Sequence, residues 1–142
     1  MRKVVLGFIL VALAAAGGWQ IYLNMQPAPL PSTPAEKPAP PEGFVLPTLS
    51  VTAELGERSF DENCIACHGA YGLGTENGPP LVHRIYEPNH HGDIAFLMAV
   101  RNGVQAHHWT YGNMPSIDGL SEQEVANIVT YVRALQKANN IF

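Results

Sequence analysis

Residues 63–72 read NCIACHGAYG and hold the only two cysteines of the chain, Cys64 and Cys67, with His68 directly after. A zinc site would need further cysteine or histidine ligands at suitable spacing. No other cysteine exists, and four of the remaining histidines come as adjacent pairs rather than at finger spacing. A thioredoxin-type redox pair sits at the start of a helix after a strand. The sequence "TAELGERSFDENCIACH" instead predicts a helix running into the motif, with Leu55, Phe60 and Cys64 at roughly helical spacing. Covalent haem attachment accounts for all three residues. Two thiols two residues apart can add to the two vinyl groups of one porphyrin edge, and the following imidazole is placed to coordinate the iron.

Outward from the motif, the 142 residues divide into three stretches. The overall 46% apolar and 14% charged content hides that division. Residues 1–25, MRKVVLGFILVALAAAGGWQIYLNM, carry Arg2 and Lys3 and are otherwise almost wholly apolar. Val4 to Ala16 would suit a cleaved signal peptide. The apolar character continues to Leu23, however, with Trp19 and Tyr22 where an interfacial belt would lie. A retained single-pass anchor is therefore the favoured expectation, with the basic residues cytoplasmic and the rest of the chain exported to the periplasm of a bacterial inner membrane. Residues 26–47 contain eight of the twelve prolines, which predicts a passive, extended linker of at most ~65 Å. Residues 48–142 read as one folded domain.

In that domain five Lys/Arg stand against ten Asp/Glu. An acidic surface with no basic patch argues against nucleic acid. It leaves open either a positively charged partner or plain solvation. Three helices are predicted. The first leads into the cysteines. The second spans Asp93 to Asn102, with Asp93 as N-cap and Gly103 as stop. The third follows Ser121 and Glu124, a capping box, and presents Val125, Ile128, Val129, Val132 and Leu135 on one face. No strand pattern is visible, so the expected class is all-α. Three helices and long glycine-rich loops bury little side-chain surface, so a bulky apolar group is expected to complete the core.

The pieces in order are a helix with Gly56 and Phe60, then CIACHG, GPPL, AVRNG, GNMP and SEQEVANIVTYVRAL. From Leu55 to Leu135 this order and spacing resembles the class I (monohaem) c-type cytochromes. The resemblance implies the all-α cytochrome c fold around one haem c, with first and last helices crossing near Gly56, Phe60 and Tyr131. It implies thioether anchors at Cys64 and Cys67, His68 as proximal ligand and Met114 of GNMP as the distal thioether. It also implies that the Pro79 carbonyl accepts from the His68 ring, with Pro80 as the competing choice, and that Leu81 packs on the haem. Met1 and Met25 lie in or near the N-terminal segment, and Met98 is expected as a core filler. With both axial positions filled, the expected role is outer-sphere electron transfer rather than catalysis.

The expected partners are a quinol-oxidising complex or dehydrogenase as donor and a terminal oxidase or reductase as acceptor, in a respiratory chain. Alternatives are a fixed cytochrome subunit of a larger dehydrogenase or oxidase complex, or a haem or copper sensor or copper-handling protein. The resemblance leaves His83, His90, His91, His107 and His108 unexplained. They read as surface residues, some reaching a haem propionate as Arg84, Tyr86, Trp109 or Tyr111 also could, as a partner-docking surface, or as a copper or zinc site to which each pair contributes one ligand.

Overall fold

Helix α1 runs from Val51 to Asn63 in the computed structural model, which describes residues 37–142 of the chain. Ser50 caps it, its hydroxyl accepting from the Ala53 amide, and Glu54 complements the positive end of the helix. At Cys64 the backbone leaves helical geometry, and a separate four-residue helix, α2 (Ile65–His68), carries the rest of the motif. The helix expected to run into the cysteine motif is α1, and the motif itself continues in α2. Helix α3 spans Asp93–Asn102 and α4 spans Glu122–Ala138. Two 3-10 turns, Ala70–Gly72 and Arg84–Tyr86, interrupt the long connections. The described residues form no strand, only isolated bridges at Thr75–Gly78 and Val104–Met114.

Helices α1 and α4 cross at a glycine. A Cβ placed on Gly56 would lie 1.9 Å from the Asn127 carbonyl oxygen, so only glycine admits this approach. One turn on, the Phe60 and Tyr131 rings pack with centroids 5.6 Å apart. Ala53, Leu81, Ile128, Val132 and Leu135 complete that core, and Val100, Val125 and Val129 form a second cluster between α3 and α4. All five apolar positions expected on the last helix are buried, and the capping box of Ser121 and Glu124 is formed.

Three local expectations fail. Leu55 is 44% exposed, because the buried stripe of α1 runs through Ala53, Gly56 and Phe60. The N-cap of α3 is Gly92, and Asp93 sits inside the helix, where its carboxylate accepts from Arg133 Nε at 2.8 Å. Met98 is 49% exposed rather than core, and it borders a cavity instead.

The anchor expected at 1–25 lies outside the described residues, and no helix among the described ones is long and apolar enough to cross a membrane. Of the expected linker, residues 37–47 are described, and they lie against the domain. Lys37 pairs with Glu57 at 2.7 Å and Asp61 at 2.8 Å. Phe44 packs on the main core, and Val45 exchanges two backbone hydrogen bonds with the Asn139 amide side chain.

Candidate functional site

Beside the two cores lies a cavity of about 420 Å³, within the ~300–1,000 Å³ typical of cofactor pockets. Cys64, Cys67, His68, Pro79, Leu81 and Met114 all border it, and Phe60, Phe96, Val100 and Ile128 make its wall largely apolar.

The loop after α2 holds the motif in place. Gly69, at φ +71°, ends α2, and a Cβ there would meet the Gly74 carbonyl at 2.4 Å. The helix-end carbonyls, which lack partners within so short a helix, are taken up by this loop. Gly74 N–H donates to the His68 carbonyl at 2.6 Å and the Thr75 hydroxyl to the Cys67 carbonyl at 2.7 Å. Gly78 then passes close to Cys67 and delivers Pro79. His68 Nδ1 lies 2.9 Å from the Pro79 carbonyl oxygen, so the bond goes to Pro79 and not to Pro80. A carbonyl can only accept, so Nδ1 carries the proton and Nε2 keeps a free lone pair. Burial holds the imidazole below its ordinary pKa, only partly opposed by the Pro79 bond, which keeps it neutral and able to bind a metal.

The cysteines are poor redox partners for each other. Burial, with Cys67 and Asp61 nearby, pushes the Cys64 thiol up to about 11, opposite to the depressed thiol of an exchange-active pair.

Met114 arrives from the far side of the sequence on a loop clipped to the end of α3. Its amide and carbonyl both bond Val104, at 3.0 and 2.9 Å, and Ile117 N–H donates to the Val100 carbonyl at 2.8 Å. Gly103, at φ +70°, lets the strand-like arm of this loop pass, since a Cβ there would stand 2.5 Å from the Met114 carbonyl.

The donors and the wall fit a haem. A flat apolar ring suits the cavity lining, and a soft sulfur and a neutral imidazole suit its iron. One polar atom also asks for a partner. Trp109 Nε1 is buried with nothing in hydrogen-bond geometry, although the Tyr86 hydroxyl is near enough to feel it. A propionate carboxylate is an acceptor of the kind this donor lacks.

Of the other histidines, His83 caps the 3-10 turn, its Nδ1 accepting from the Ile85 amide at 3.2 Å. His90, His91, His107 and His108 gather at the mouth of the cavity, where His91, His107 and His108 line it. Desolvation, then the neighbouring imidazoles of His107, His90 and His91, hold His108 below its ordinary pKa. The pairs do not contribute one residue each to this cluster. His90 and His91 lie in a turn whose two amides both donate to the Glu87 carbonyl, so their rings come within 4.6 Å instead of splaying apart as on regular backbone.

The sequence matches the cytochrome c family model over residues 53–136. It is also 33% identical over 95 residues to the Cbb3-type cytochrome c oxidase subunit CcoP of Rhodobacter capsulatus, an alignment covering 63% of this chain and 31% of that protein. The chain therefore spans less than a third of that relative's length.

Proposed function

This chain belongs to the cytochrome c family, and from that premise we propose that it is a one-electron carrier built on a single His/Met-ligated haem c. Bound haem c supplies a reversible Fe²⁺/Fe³⁺ couple. The residues supply everything around it. Cys64 and Cys67 would tether the group, His68 Nε2 and the Met114 sulfur would be its iron donors, and the Pro79 carbonyl fixes the tautomer and orientation of His68. Leu81 and the apolar wall would keep water from the ring, and Trp109 Nε1 could donate to a propionate. The observation that carries the reading is that both axial donors and both cysteines, from segments forty-six residues apart, border one cavity. With His68 and Met114 both on the iron, no position would be left for substrate, which suits electron transfer rather than catalysis.

The test is the purified haem-loaded protein and its Met114→Ala variant. The reduced wild-type spectrum should be unchanged by carbon monoxide. The variant should bind carbon monoxide and show a lower midpoint potential, a shift within the roughly 0.8 V that axial ligands span. Prompt carbon monoxide binding by the wild type would sink the His/Met assignment.

The apolar segment 1–25 supports a tether in a bacterial inner membrane with the domain in the periplasm, carrying electrons from a quinol-oxidising complex or dehydrogenase to a terminal oxidase or reductase. A second reading, a cytochrome subunit fixed in an oxidase assembly, is favoured by the likeness to CcoP. Purification of the full chain in mild detergent separates the two. A fixed subunit leaves the column with the assembly in constant ratio, whereas a shuttle leaves alone.

A further inference from the structure

The histidine cluster has no part in electron transfer as read above, yet the fold assembles it with care. One ring nitrogen from each of His90, His91 and His108 lies within 4.8 Å of the others. Tetrahedral nitrogen ligands about 2.0–2.1 Å from an ion stand ~3.4 Å apart, so closure asks for a contraction of at most about 1.4 Å. His90 and His108 are exposed and free to make that adjustment by side-chain rotation.

The least mobile of the three is held ready. His91 Nδ1 donates to the Ile85 carbonyl at 2.5 Å, which fixes its tautomer and leaves Nε2 as the donor atom. Metal-bound imidazoles are oriented by this kind of backbone partner. The His91 carbonyl in turn accepts from Arg133 Nη2 at 2.5 Å, and Arg133 is itself paired with Asp93, so the turn hangs from α4 and α3 together. The second pair stands on the loop closed by Val104 and Met114, stiffened by the Asn113 side chain accepting from the Ala106 amide at 2.9 Å. His107 is oriented as His91 is, with Nδ1 2.8 Å from the Gln105 carbonyl, and its ring lies 4.3 Å from that of His108.

We propose that His90, His91 and His108 bind one divalent transition-metal ion, Cu²⁺ or Zn²⁺, with His107 completing the coordination. Imidazole-only ligation selects these borderline ions over Ca²⁺ or Mg²⁺, which require oxygen donors. The bound ion joins the 87–91 turn to the loop that carries Met114, so its occupancy stiffens the segment on which an axial donor stands. All its ligands lie outside the Cys-x-x-Cys-His motif and Met114, so metal uptake is read separately from ligation of the haem iron.

Full-length haem-loaded protein, stripped with a chelator, is titrated with ZnCl₂ and separately with CuCl₂. Binding is followed by calorimetry, and metal per chain by elemental analysis after desalting. One ion per chain is expected, with Cu²⁺ held more tightly than Zn²⁺ as the general order of affinities requires. His90→Ala and His108→Ala should each weaken binding at least tenfold. Both residues are exposed, so the variants should keep the wild-type circular dichroism. The wild-type melting temperature should rise with saturating Zn²⁺, and that rise should vanish in the double variant. Absence of stoichiometric uptake overturns the proposal, as does uptake that survives in the His90→Ala, His108→Ala double variant.

Discussion

Gln136 is 1% exposed, although it is a polar side chain near the end of the last helix. Its amide nitrogen donates to the Leu81 carbonyl at 2.8 Å and the Tyr86 carbonyl at 3.0 Å, and its oxygen accepts from Arg133 at 2.6 Å. It thus fixes the segment from Leu81 to Tyr86, which forms one side of the cavity. The apolar period does contain the signal, since Gln136 stands four and eight residues beyond Val132 and Ile128. A polar residue in register is ordinarily read as the edge of the stripe, so its burial is invisible until its partners are known. The chemically constrained residues were legible for the opposite reason. Cys64, Cys67 and His68 have few other uses in that spacing, and Met114 was reached through the resemblance of the ordered motifs. Replacing Gln136 by leucine keeps the volume but strips the Leu81 carbonyl of its donor. The expected cost is about 1–3 kcal/mol, read as a lower midpoint in denaturant unfolding of the haem-loaded protein. An unchanged midpoint would show that water replaces the amide there.

At the scale of elements, the α1–α4 crossing decides the sign of a substitution that propensity alone would get wrong. In an exposed helix interior, Gly→Ala gains about 1 kcal/mol. At Gly56 the added methyl would stand 1.9 Å from the Asn127 carbonyl oxygen, a backbone atom that cannot rotate away. The two helices would have to part, loosening Phe60 from Tyr131. Gly56→Ala is therefore expected to destabilise by about 1–3 kcal/mol, measured by thermal unfolding, and a stabilising outcome would refute the close crossing. The sequence made the last helix plain, because its capping box and five-residue apolar face agree with one another. Helices α1 and α3 are less plain in the sequence. Spacing alone puts Leu55 on the core face and Asp93 at the cap. Both errors are single-position ambiguities in short, weakly patterned helices, and only the docking partner resolves them: α4 for the buried stripe of α1, Arg133 for Asp93.

Across the whole molecule, what periodicity could not reveal is how distant segments close on one another. The histidine pairs meet because a turn anchored through Arg133 faces a loop anchored through Val104, and neither anchor belongs to a repeating pattern. The same holds for Lys37, which proline content placed in a passive spacer. Its ammonium sits between Glu57 and Asp61 and over the rings of Tyr71 and Tyr131, joining the entering chain to the α1–α4 crossing. Its own pKa is raised, since the two carboxylates outweigh the burial that would lower it. Asp61 is also raised, by burial first, and one of its oxygens has no hydrogen-bond partner. A carboxylate with a raised folded value adds stability below its unfolded pKa and loses it as the pH rises through the folded one. Removing Lys37 leaves Asp61 and Glu57 facing each other without a cation and raises the Asp61 value further. Lys37→Ala should therefore cost about 1–2 kcal/mol at neutral pH, a partly exposed pair being worth less than a buried one. The deficit should shrink on acidification as Asp61 takes up a proton. Lys37→Arg should restore most of the stability, and adding Asp61→Asn to Lys37→Ala should restore part of it. Chemical denaturation of the four proteins at neutral and acid pH measures each of these. A deficit that does not change with pH would mean that Lys37 acts through its methylene packing on the two tyrosine rings rather than through its charge.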